Sequence, residues 1–136
     1  MNDFFEDKLI RKFKGKTISF DVLGVPPHKD TSFSIRNSKH SNHDRFLAIR
    51  KAAKRAMGKI PYYKGSVKIV FHYRRESGSR SLNDYLSGIC DSLDGSHGFT
   101  FHWSPVVFLD DCQVVEAELS QESSSKDMYS IKVCFL

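Results

Sequence analysis

The sequence predicts a single α+β domain with a mixed, largely antiparallel sheet and packed helices, and three observations carry that expectation. Apolar residues alternate in four separate stretches, the signature of half-buried strands, and three other stretches repeat at or near three- and four-residue spacing, the signature of amphipathic helices. At 136 residues the chain is long enough for one real core and too short for two, so residues 1–136 read as one domain.

The elements follow in chain order. Phe4, Phe5, Leu9, Ile10 and Phe13 lie near helical spacing, so residues 1–15 read as an N-terminal helical extension running from Asp3 to Phe13 and interrupted by Gly15. Ile18, Phe20 and Val22 form a strand, which Pro26-Pro27 must end because proline cannot donate to a ladder. His28 to Asn42 is polar and without period; it reads as a loop in which Lys29, Arg36, Lys39 and His40 suit phosphate contact. From His43 to Met57 the pattern is helical, with Phe46, Ile49, Ala53, Ala56 and Met57 on one face and Asn42 or Asp44 as cap. Arg50, Lys51, Lys54 and Arg55 are expected to project away from that face, either as a solvated surface or as a backbone-binding one. Gly58 and Pro61 end the helix.

Val67, Ile69, Phe71 and Tyr73 make the second strand, and Arg74 to Ser81 a basic, Gly/Ser-rich loop. Leu82, Tyr85, Leu86, Ile89, Cys90 and Leu93 form a helical stripe, leaving Asp84, Ser87, Gly88 and Asp91 on the opposite side, where they could face a site. Asp94 to Pro105 reads as a long loop; His97 and His102 lack any zinc spacing with Cys90 or Cys112. Val106 to Leu109 is an apolar run read as a strand ending on Asp110 and Asp111. Acids held at such an end present hard oxygen ligands to Mg²⁺, although a polar hairpin turn uses the same residues. Val115, Ala117 and Leu119, then Tyr129, Ile131, Val133 and Phe135, are expected to pair as a terminal hairpin.

Composition narrows the function classes. With 40% hydrophobic residues and no apolar run of membrane-spanning length, no membrane partner is expected. The first residues, Met1-Asn2-Asp3-Phe4-Phe5-Glu6-Asp7, lack the regions of a secretory signal, which predicts a cytoplasmic location. Cys90, Cys112 and Cys134 are odd in number and have no CxxC spacing, so they read as reduced small hydrophobes. The net charge of +5 is uneven, with Lys and Arg concentrated in the first eighty residues, and this asymmetry points toward a polyanion.

Two segments carry a family likeness. Phe108-Leu109-Asp110-Asp111-Cys112-Gln113-Val114-Val115 is close to an Asp-Asp-x-Gln-Val motif, and Asp91-Ser92-Leu93-Asp94-Gly95 to an Asp-Ala-Leu-x-Gly helix end. With the order of elements from about Thr17 onward, the chain resembles the RusA family of Holliday junction resolvases, small dimeric endonucleases that use Mg²⁺ to nick four-way DNA junctions in recombination and repair. The resemblance implies branched DNA as partner, a homodimer, and Mg²⁺ (or Mn²⁺) as cofactor. The family's first acidic motif, Asp-x-Asp-Asn-x-x-x-Lys, falls here on Ser81, Leu82, Asn83, Asp84 and, at the lysine position, Ser87. Asp110, Asp111, Asp84 and Asp91 remain as candidate ligands, and Asn83 offers a carbonyl. The resemblance thus assigns catalysis to Asp111, Asp110 and Asp84, the metal to these with Asn83, and DNA contact to Arg50, Lys51, Lys54, Arg74, Arg75, Arg80, Lys29 and Arg36. Three functions follow as alternatives: a magnesium-dependent junction endonuclease, a junction-binding or regulatory protein that does not cut, and a protein-interaction adaptor on the same fold.

Overall fold

The computed structural model describes residues 12–29, 42–95 and 104–136. Most of the expected N-terminal helix, most of the loop from His28 to Asn42, Arg36, His97 and His102 lie outside these residues. The order is β1 (Thr17–Leu23), α1 (His43–Met57), β2 (Val67–Arg75), α2 (Leu82–Leu93), a 3₁₀ turn (Asp111–Gln113), β3 (Val114–Ser123) and β4 (Met128–Phe135). The strands form one sheet in the order β1-β4-β2-β3, with β1/β4 and β4/β2 antiparallel and β2/β3 parallel. This is the mixed, largely antiparallel α+β architecture that the periodicities predict.

Burial explains the order. β2 buries one face through Val67, Ile69, Phe71 and Tyr73, half-buries the other as far as His72, and is paired along both edges, which puts it at the centre. β3 buries none of its residues and carries Glu116, Glu118 and Glu122, which suits an edge, where charge discourages stray pairing. The terminal hairpin is therefore not formed. β3 and β4 are separated by β2, and the turn between them passes the end of β2, where the Ser124 N–H donates to the Arg75 carbonyl at 2.9 Å. Because β3 runs parallel to β2, the connection through α2 makes a β-α-β unit, a non-local pairing that alternation within β3 alone does not reveal.

α1 and α2 cover one sheet face. Ile49, Ala53, Tyr85, Ile89 and Leu93 join Ile69, Phe71, Ile131 and Val133 in the core, and Phe46 is fully buried as well. The other face is polar, with Lys68 opposite Glu116 and bonded to Glu118, His72 opposite Ser120, and Arg74 opposite Glu122. Ser81 caps α2, its side chain accepting from the Asp84 N–H at 3.2 Å. Asn42 stands at the N-cap of α1 without a capping bond, and its side-chain amide instead donates to the His28 carbonyl at 2.7 Å.

Arg50 departs from the expected outward projection. It is only 5% exposed, and its guanidinium donates to the carbonyls of Ser92 (2.9 Å) and Ser104 (2.5 Å). Its stem follows the apolar face while its charged end satisfies carbonyls near the C-terminus of α2, so it braces the fold rather than meeting a phosphate.

Candidate metal centre

The C-terminal end of α2 leaves carbonyls without partners in the helix, and the chain returns to satisfy them. The Leu93 carbonyl accepts from the N–H groups of Val106 and Val107 at 3.2 and 3.0 Å, with Phe108 at 3.5 Å, and Gly95 N–H donates to the Leu109 carbonyl at 3.1 Å. Val106, Val107 and Phe108 are buried there. The expected strand over Val106–Leu109 is thus a buried plug, joined to the chain at Tyr63 by a single bridge from Phe108, because its amides converge on a helix end instead of a ladder.

The plug delivers Asp110 and Asp111 beside the end of α2. There they part. The Asp110 carboxylate accepts from the Cys112 N–H at 2.9 Å and caps the 3₁₀ turn in a capping box with Gln113. The Gln113 side-chain amide donates to the carbonyls of Tyr63 (2.7 Å) and Gly65 (2.9 Å) and accepts from the Asp110 N–H (3.1 Å), fixing the turn. Asp110 is therefore a shaping residue, not a member of the acidic cluster. Asp111, exposed, meets Asp91 from α2 and its C-cap Asp94, and carboxylate oxygens of all three lie within 4.8 Å of one another.

The chemistry of this donor set suits a hard divalent cation. Asp91 stands on the last turn of α2, and Asp94 is the extended C-cap that follows it, its N–H still bonded to the Cys90 carbonyl. Asp94 is 2% exposed, Asp91 half-buried and Asp111 exposed, leaving the cluster open on one side. Carboxylates at a helix C-terminus oppose the helix dipole, and the last turn of α2 carries no basic residue of its own. Mg²⁺ takes oxygens at about 2.0–2.1 Å in octahedral array, with adjacent oxygens about 3 Å apart, so small side-chain rotations would close these three onto it. Cys90 lies nearby, but burial, reinforced by the charges of Asp111, Asp94 and Asp91, pushes its thiol up to about 12. Its sulfur is not among the three ligand atoms that converge, which leaves the cluster to hard oxygen donors.

Asp84 shares its stripe with Asp91, but seven residues at ~1.5 Å rise put it about 10 Å away along the helix. Asn83 lines a different, open cleft with Arg80, Leu119 and Gln121. Neither joins the cluster. Asp94 does, and its sequence signal was the Asp91-x-x-Asp94 spacing at the end of an amphipathic helix.

The basic residues divide as well. Lys51, Lys54, Lys29 and Arg80 are exposed. Arg74 faces the open sheet surface, its Nε 3.4 Å from Glu122. It is paired with Glu122 near the end of β3, roughly 26 Å by strand rise from the Val114 end that follows Asp111. Arg75 is committed to structure: it donates to the Gly78 and Arg80 carbonyls at 2.8 Å and to Gln121 at 2.9 Å, and its guanidinium lies 4.9 Å from the Tyr73 ring. Three of the expected phosphate contacts, Arg50, Arg74 and Arg75, thus have intramolecular partners. No family model matches this chain, and no curated protein matches it.

Proposed function

We propose that the chain is a RusA-like, Mg²⁺-dependent, structure-specific endodeoxyribonuclease acting as a homodimer on Holliday junctions, with Asp91, Asp94 and Asp111 as the metal ligands. The observation that carries this reading is the convergence of the three carboxylates within 4.8 Å at an open surface. Mg²⁺ or Mn²⁺ bound there would supply a water of lowered pKa and neutralise charge on a scissile phosphate. Around it the chain's own residues have simpler tasks. Arg50 holds Ser92 and Ser104, one from each segment that frames the cluster. Asp110 and Gln113 set the turn that presents Asp111, and Lys51 and Lys54 offer exposed charge on the outer face of the helix that carries Arg50.

The test is cleavage of a labelled four-way junction with Mg²⁺ titrated against chelator. Wild-type nicking should rise with metal, and Asp111→Asn should lower it by about two orders of magnitude or more while junction affinity is retained. Metal-independent nicking, or full activity in Asp111→Asn, would remove the cluster from the reaction.

A second reading, a junction-binding protein that does not cut, is favoured by one specific feature. Ser81, Asn83 and Ser87, which replace the family's acids and lysine, are all exposed at the N-terminal half of α2, away from the cluster. In that case junction binding persists and the metal titration yields no product.

A further inference from the structure

We propose that the depression beside the N-terminus of α2 is a phosphate-binding pocket that receives a second backbone phosphate of the same DNA; the phosphate chemistry stands on the pocket itself, and the DNA source rests on the reading above. The cavity is about 250 Å³, and Arg45, Arg80, His28, Gly78 and Ser79 line it. Arg45 rises from the first turn of α1 and is half-buried, and Arg80 reaches from the loop after β2. Among the described residues neither guanidinium has a carboxylate partner. Two guanidiniums without carboxylate partners facing one concavity, with the Ser79 hydroxyl beside them, are the donor set that phosphate oxygens take.

The wall is built in advance. Arg75 holds the Gly78 and Arg80 carbonyls at 2.8 Å, and the Arg80 N–H donates to the Tyr85 hydroxyl at 3.2 Å. Ser77, also in the wall, is bound through its N–H and hydroxyl to Asp127. That carboxylate is the acid in contact with the wall, and hydrogen bonds from Ser77, Tyr73 and the Glu76 N–H already engage it. A loop fixed this way loses little freedom when a ligand binds. From Ser81 to Asp91, α2 spans about 15 Å, or between four and five ~3.4 Å rises along a DNA strand. A phosphate held here would set the register of the strand crossing the acidic cluster.

Arg45→Gln, Arg80→Gln and the double variant test this, with Lys132→Gln on the open sheet face as control. Amide resonances are followed by NMR during titration with inorganic phosphate, against chloride at matched ionic strength. Junction affinity is then measured across a salt series, and 5′-phosphorylated and unphosphorylated single strands are compared. The expected result is that phosphate shifts Ser79, Arg80 and Arg45 in the wild type and the control but not in the double variant. Each single variant should flatten the log–log salt slope for the junction by about 0.9. Loss of the phosphate shifts in the variants of a protein that binds no DNA would keep the pocket and retire the DNA reading. Tighter binding of only 5′-phosphorylated strands would keep the pocket and assign it a terminal phosphate. Junction binding with unchanged slopes, or absence of wild-type shifts with phosphate, would overturn the pocket.

Discussion

At the scale of single residues, two buried tyrosines on neighbouring strands separate the value of a hydroxyl from that of a ring. Tyr73 donates to the Asp127 carboxylate at 2.5 Å, whereas the Tyr129 hydroxyl, at 1% residue exposure, has no hydrogen-bond partner among the described residues. Burial accordingly pushes both phenols well above their ordinary range, with the Asp127 contact adding to the rise at Tyr73. Removing a hydroxyl bonded to a charge costs about 1.5–3 kcal/mol, and removing an unsatisfied one costs nothing or stabilises. Urea unfolding should therefore show Tyr73→Phe destabilised by about 2 kcal/mol and Tyr129→Phe unchanged or up to about 1 kcal/mol more stable. Equal losses in both would mean that the Tyr129 hydroxyl is satisfied. Asp127 adds a pH signature. Burial alone would raise its carboxyl, but hydrogen bonds from Ser77, Tyr73 and the Glu76 and Ser77 amides outweigh that and hold it well below the usual range. A depressed folded pKa gives stability that is present above the unfolded value near 3.8 and lost as pH falls through the folded one. The wild type should therefore lose more stability than Asp127→Asn on acidification below about pH 4, as followed by urea midpoints.

At the scale of elements, α2 shows how close packing reverses a propensity. Alanine in place of a helical glycine ordinarily stabilises by about 0.5–1 kcal/mol. At Gly88 a Cβ would be driven into the Pro27 carbonyl and the backbone of His28, neither of which is the yielding end of a side chain. Gly88→Ala should instead cost about 1–3 kcal/mol by thermal or chemical unfolding. A stabilised variant would show that α2 does not pack against the segment after β1. Gly88 also shows where the sequence was legible. The stripe from Leu82 to Leu93 marks the helix, but a glycine on its polar side gives no sign that another segment crosses there. Elements whose period reflects a local burial pattern, such as Val67–Tyr73, could be read directly. The β3 register could not, because strand order depends on which neighbour shelters β2, and the acids of β3 fit an outer edge of a parallel pair as well as an outer hairpin arm. The site was legible in part for the same reason. Asp111 stood out at the end of an apolar run, whereas Asp94 joins it only because the plug's amides return to the Leu93 carbonyl.

At the scale of the whole molecule, the acidic cluster is a joint. It ties the end of α2, the buried plug and the start of β3, three segments that Arg50 and Gln113 also bind together. Three carboxylates within 4.8 Å repel one another, and Asp94 is nearly excluded from water, which weakens the screening of that repulsion. A cation held by the folded joint and not by the unfolded chain stabilises the fold by mass action, about 2.7 kcal/mol at a hundredfold excess over Kd. For a chain of this length that corresponds to a rise in Tm of roughly 10 °C. Mg²⁺ should therefore raise the Tm of the wild type well beyond NaCl at equal ionic strength. Asp111→Asn removes one of the three charges, so it should melt slightly above the wild type without metal and respond little to Mg²⁺. The crossing of the two curves is the informative result: a ligand role demands that the same substitution stabilise the metal-free protein and abolish its metal response. A purely structural aspartate would lose stability in both conditions, and a Tm indifferent to Mg²⁺ in the wild type would show that the three carboxylates hold no cation.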